Sequence, residues 1–131
     1  MNIIFFDGDC GLCNNTVQWI LKNDKKNLFF FSSLNSNFAK NFIFSKIDKQ
    51  LIPDSIVFYT EDKIYFEYEA IIEILSLMFP WLNLIKRILK ISLLILIGNF
   101  FYRIIAKYRK KLFSPKCILV RGSIYENRFL Y

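Results

Sequence analysis

Two cysteines three residues apart, Cys10 and Cys13, stand in the stretch Asp7-Gly8-Asp9-Cys10-Gly11-Leu12-Cys13-Asn14. Thiols at this spacing exchange disulfides: a thiolate attacks a disulfide sulfur, a mixed disulfide forms, and the second thiol resolves it. That chemistry needs one thiol exposed and the other just behind it. Positions i and i+3 at the start of a helix meet the need, because they share a face. The preceding run Ile3-Ile4-Phe5-Phe6 reads as a buried strand and Thr16-Val17-Gln18-Trp19-Ile20-Leu21 as a helix, so the pair sits at a strand-to-helix turn. Cys10 falls at the N-cap or first turn, where unpaired backbone N–H groups and the helix dipole favour a thiolate. Cys13 lies one turn in. Cys10 is the expected attacking thiol and Cys13 the resolving one.

Asp7 closes the strand three residues before Cys10. A desolvated carboxylate there relays a proton to a leaving thiol; alternatively it caps the turn by accepting backbone N–H bonds. Both readings stay open. The chain has no His, which removes the commonest general base and the commonest metal ligand. With no cation in the motif and Asp9 beside Cys10, a reducing poise is expected. Zinc wants four ligands, and three Cys without His fall short, so neither a metal nor a cofactor is expected. Cys117 reads either as a small buried hydrophobe or as a third redox thiol. Pro53, before the third strand, reads as turn chemistry; a resemblance to thioredoxin-like folds would imply instead a proline that faces the thiols.

These residues need a scaffold. The apolar patterning predicts strands over 2–6, 28–31, 56–60 and 64–67. It predicts helices from about Cys10 or Leu12 to Lys22, over about 35–47, and from Tyr68 or Glu69 to before Pro80. Five residues with almost no polar alternation mark the first strand as buried on both faces. Ser32 to Ser36 carries N-cap chemistry for the second helix, and Glu61-Asp62-Lys63 reads as a hairpin turn. The order β-α-β-α-β-β-α is α/β, a thioredoxin-like three-layer fold. Beyond it, helices are expected over about 81–97 and 99–112, divided at Gly98-Asn99. Lys116 to Val120 reads as a short extended piece. The expected organisation is one domain, 1–131, with a core (1–79), a C-terminal helical pair (80–113) and a tail (114–131).

With 131 residues, 54% of them apolar and fifteen of them Phe, the chain is neither disordered nor too small for a core. Three Cys are too few for a disulfide-stapled secreted scaffold. No cation precedes the first apolar run and two aspartates interrupt it early, unlike a signal peptide; the cytoplasm is the expected compartment. The run Ile91 to Phe101 falls short of the roughly 20 apolar residues of a membrane span. It reads as half of a buried helix pair covering the sheet or the active-site mouth, or as a hairpin lying in a membrane interface, a peripheral contact through residues 81–112. The net charge of +7 favours acidic partners or anionic surfaces without naming one.

The Asp7-x-x-Cys10-x-x-Cys13 pattern after an apolar strand resembles the DCC family of thiol–disulfide oxidoreductases. Asp54-Ser55-Ile56-Val57 resembles its middle segment, and Tyr102-Arg103-Ile104-Ile105-Ala106-Lys107-Tyr108-Arg109 its C-terminal helix. Cys117 matches a cysteine often found shortly after that helix. The Gly98-Asn99 pair departs from the family, whose members tend to carry proline there. The resemblance implies a protein or small-molecule disulfide as substrate and a separate electron donor, and it identifies neither. A second resemblance, of Ile3 to Asp9 to the strand-Asp-x-Asp signature of haloacid-dehalogenase-like phosphatases, casts Asp7 as nucleophile and Asp9 as acid. It lacks the hydroxyl residue expected after the second Asp. A non-enzymatic alternative rests on Arg103, Lys107, Arg109, Lys110, Lys111 and Lys116, a cationic stretch with Tyr102, Tyr108 and Phe113 interleaved, suited to a membrane surface or RNA. No nucleic acid is expected as a partner.

Overall fold

Every residue of the apolar run Ile3–Phe6 is buried, and the run forms β1, an inner strand of a four-stranded sheet. The computed structural model describes residues 1–7, 11–52, 56–112 and 126–130. After β1 come α1 (Gly11–Asn23), β2 (Phe30–Ser33), α2 (Asn37–Phe42), β3 (Val57–Thr60), β4 (Lys63–Phe66), α3 (Glu67–Met78), α4 (Asn83–Leu89) and α5 (Ser92–Leu112). The strand order is β2-β1-β3-β4. β2 runs parallel to β1, while β3 is antiparallel to β1 and β4 to β3. Parallel neighbours need a crossover, and α1 supplies it. This is the mixed α/β, thioredoxin-like arrangement that the element order implies.

Both sheet faces are covered, which is why β1 shows no polar alternation. Ile4, Phe6, Phe31 and Phe58 pack against Val17, Ile20 and Leu21 of α1 and Ala70 and Ile74 of α3. Ile3, Phe5, Val57 and Tyr59 pack on the opposite side against Ala39 and Ile43. There Phe5 stacks on Phe38 and Phe42, with ring centroids 6.3 Å away in each case. The β3–β4 turn is only Glu61-Asp62, since Lys63 already pairs with Thr60. Both turn residues have positive φ, 47° and 61°, which matches the strand twist.

β2 lies two residues later than the apolar pattern suggests. Ser32 and Ser33 extend it because their polarity is satisfied nearby: Ser32 Oγ donates to the Leu130 carbonyl at 2.7 Å. α2 is six residues long, against the 35–47 expected. Ser36 caps its start, accepting from the Ala39 N–H at 3.0 Å. At its end Ser45 Oγ donates to the Phe42 carbonyl at 2.8 Å, a local bond that competes with further helix.

The C-terminal helices depart most. A 3₁₀ turn (Pro80–Leu82) leads into α4, and the axis then bends by 99° before α5, which runs unbroken through Gly98-Asn99. Gly98 is required for close approach and does not end a helix. A Cβ there would stand 2.6–2.7 Å from ring carbons of Tyr68 on α3. Asn99 Oδ1 is buried and has no partner among the described residues. Gly98→Ala should therefore destabilise the protein by about 1–3 kcal/mol through overpacking, where an exposed helical site would gain about 1 kcal/mol. Urea denaturation checks the sign, and Tyr68→Ala should restore the gain.

The bend is held by one carboxylate. Glu73 of α3 is buried, and both its oxygens are taken, by Lys86 Nζ at 2.6 Å and by Lys90 Nζ. Lys90 Nζ also lies 4.6 Å from the Tyr65 ring centroid. Burial pushes the Glu73 carboxyl up, but the hydrogen bonds and charges of Lys86 and Lys90 outweigh it and hold the pKa below its ordinary 4.5. A lowered folded-state pKa stabilises the protein above the unfolded value, and that stability is lost as pH falls through the folded one. Glu73→Gln should thus cost about 2 kcal/mol at neutral pH. The difference from wild type should shrink below about pH 4.5 in denaturant titrations.

Part of the expected tail is built into the sheet. Phe129 bridges Phe31 in parallel, and the Leu130 N–H donates to the Phe31 carbonyl at 2.7 Å. This covers the outer edge of β2. Arg128 is buried beneath: Nε donates to the Phe29 carbonyl at 3.0 Å, Nη1 to Asn27 Oδ1 at 3.2 Å, and Nη2 to the Asp24 carboxylate.

Candidate active site

β1 ends at Phe6, and Asp7 follows it, half-buried and engaged by a neighbour. α1 begins at Gly11, the residue after Cys10. Position 13 is therefore the third residue of α1, within its first turn. No acidic residue stands in that turn to oppose an anion at the helix start. Gly8, Asp9 and Cys10 lie outside the described residues, and so do Pro53, Asp54 and Ser55. The stretch 113–125 is outside them too, with Lys116, Cys117 and the extended piece expected there.

A cavity of about 410 Å³ opens beside the motif helix, lined by Asn15, Thr16, Trp19 and Ile20 of α1, Ile71, Ile74 and Leu75 of α3, and Ile56 just before β3. Positions 16 and 20 follow position 13 by three and seven residues and share its helix face. The walls are apolar except for Asn15 and Thr16. Trp19 forms the rim; it is 46% exposed and lies 6.5 Å from the Phe79 ring. From the other side the Tyr102 hydroxyl of α5 comes within 3.5 Å of the Ile56 N–H. The sequence pattern marks Thr16, Trp19 and Ile20 as one helix face. It does not reveal a cavity, because that depends on how α3 is placed. The site can hold an apolar group beside the second and third turns of α1.

The helix pair differs from the buried cover expected. α5 packs along α3 and touches α1, and α4 packs on α3, so the main contacts of the pair are with helices. α4 has no buried residue, and a row of large apolar side chains along α5 faces outward. No single helix among the described residues is long and apolar enough to cross a membrane.

A family model described as DCC1-like thiol-disulfide oxidoreductase matches residues 4–115. The chain is 34% identical to the uncharacterized protein YuxK of Bacillus subtilis (strain 168), over 98% of this chain and 93% of that protein. It is 28% identical to a chloroplastic DCC family protein of Arabidopsis thaliana, over 89% of this chain and 69% of that protein. No solved structure matches. The family match takes in the sheet from Ile4 on, both cysteines of the pair and α1 to α5, and it supports a thiol–disulfide oxidoreductase role. On that match and the similarity to YuxK, the chain belongs to the DCC1-like thiol-disulfide oxidoreductase family.

Proposed function

We propose that the protein exchanges disulfides through Cys10 and Cys13. The observation that carries this reading is the start of α1 at Gly11, directly after Cys10 and behind a buried strand. The Cys10 thiolate attacks a substrate disulfide; that S–S bond breaks as the mixed disulfide forms, and the departing sulfur takes a proton, with Asp7 as its source. Asp7, left as a carboxylate, takes the Cys13 proton; the Cys13 thiolate then attacks the Cys10 sulfur, and the second substrate sulfur leaves and takes a proton from solvent. Two electrons have passed to the substrate, and Cys10–Cys13 is left as a disulfide. A separate dithiol donor resets it. The apolar cavity beside α1 suits a disulfide carried by an apolar peptide or small molecule. A reducing compartment such as the cytoplasm fits the direction of reduction. The test is reduction of a protein disulfide, insulin for example, by wild type and by the Cys10→Ser, Cys13→Ser double variant; activity that persists in the variant overturns the reading.

A further inference from the structure

Charge is divided along this chain. Residues 1–73 hold ten acidic residues and seven Lys or Arg, while residues 74–125 hold ten Lys or Arg and no acidic residue. The cationic segment is the one that forms α4 and α5. Two of its cations, Lys86 and Lys90, are turned inward to Glu73. Arg87 and Lys107 are exposed, and so is Arg103, whose side chain lies 3.9 Å from Glu67 but is 75% exposed.

The same two helices display most of the large exposed apolar side chains. On α5, Leu93, Leu96, Ile97, Phe100, Ile104 and Tyr108 recur at three- and four-residue steps and form one stripe. The opposite face carries Gly98 against Tyr68. On α4 and its approach, Trp81, Leu84 and Ile88 do the same, with Leu84 84% exposed. Both helices pack on α3, and the exposed apolar side chains of each are the ones turned away from that packing. An apolar surface of this extent marks an interaction site. The helix register places Arg103 and Lys107 along one border of the α5 stripe, and Arg87 stands beside Ile88 on α4.

We propose that this face docks on an anionic phospholipid bilayer, with Trp81, Leu84, Ile88, Leu96, Phe100 and Phe101 in the acyl boundary and the bordering cations among the headgroups. An apolar stripe bordered by Lys and Arg matches the two halves of such an interface. The 99° bend lets the two helices lie in the surface plane; neither alone is long and apolar enough to cross, and Pro80–Leu89 and Ser92–Ile105 reach the length and composition of a broken span only when taken together. A second copy of the chain is a poor occupant, because its own α4 and α5 would set Arg87, Arg103 and Lys107 against the same three exposed cations. The inference is independent of the thiols.

Flotation of the full chain with phosphatidylcholine vesicles, with and without phosphatidylglycerol, tests it. Binding should require phosphatidylglycerol and weaken with added salt. Leu96→Glu with Phe100→Glu, both at exposed positions, should keep the wild-type circular dichroism and lose about a hundredfold in partitioning. Arg87→Gln, Arg103→Gln and Lys107→Gln together should lose roughly as much on anionic vesicles. Failure to float with phosphatidylglycerol vesicles, equal binding to pure phosphatidylcholine, or a dimer in light scattering that the Leu96 and Phe100 changes dissociate would each overturn it.

Discussion

Replacing Cys10 by serine should lower disulfide reduction to the background of the assay, a loss of about a thousandfold or more, the order seen when a catalytic nucleophile is removed. A hydroxyl at neutral pH supplies almost no anion, whereas a thiol at a helix start does. Cys13→Ser should behave differently. The first attack still occurs, but nothing resolves the mixed disulfide, so the substrate stays joined to Cys10. Non-reducing electrophoresis should show the adduct with Cys13→Ser and none with the double variant. The pair of results separates the roles: an adduct formed by Cys10→Ser instead would reverse the order of attack. Neither substitution should alter thermal stability of the reduced protein by more than about 1 kcal/mol, since serine and cysteine differ little in size.

The largest stability effect should come from Arg128. Its guanidinium holds the Phe29 carbonyl, Asn27 Oδ1 and the Asp24 carboxylate, and it lies 5.3 Å from the Phe31 ring. Asp24 is itself buried and accepts from the Leu28 and Phe29 N–H groups at 2.8 and 3.2 Å. Arg128→Met leaves that carboxylate buried without its cation and should cost about 3–5 kcal/mol, a large share of the roughly 5–15 kcal/mol that holds a domain folded. Arg128→Lys should recover little, because an ammonium cannot serve three acceptors as a planar fork does. Guanidinium denaturation of the single variants and of Arg128→Met with Asp24→Asn gives the coupling between the two side chains. A loss under about 1 kcal/mol for Arg128→Met would show that the pair is dispensable.

The sequence-level signals and the structure agree where one local rule dominates. β1 is apolar at every position and is buried on both sides. Glu61-Asp62 was legible as a turn from its polarity between two apolar runs. The start of α1 at Gly11 falls between the Cys10 and Leu12 expected from the apolar spacing beyond it. The failures share a cause: a distant residue supplies what the local pattern lacks. Ser32 extends β2 because the Leu130 carbonyl accepts its hydroxyl. Gly98 reads as a helix end and is instead the point where Tyr68 needs room. The bend at Lys90 carries no glycine or proline, and its anchor is Glu73, seventeen residues earlier. Arg128 looks like any exposed cation until Asp24 is placed beside it. The spacing of the two thiols and Asp7 is a reading of the sequence, on which the proposed site rests; the apolar cavity was not legible, since much of its wall belongs to α3.

The docking of residues 126–130 on β2 also bears on how the chain is made. During synthesis Arg128 arrives 104 residues after Asp24. Until residues 126–130 have left the ribosome, Asp24 has no guanidinium and the edge of β2 is open. The nascent chain therefore carries both cysteines and an unpaired strand edge for as long as those last contacts are missing. These contacts wait on residues 126–130, so a truncation just before Arg128 should reach back to Asp24 and β2.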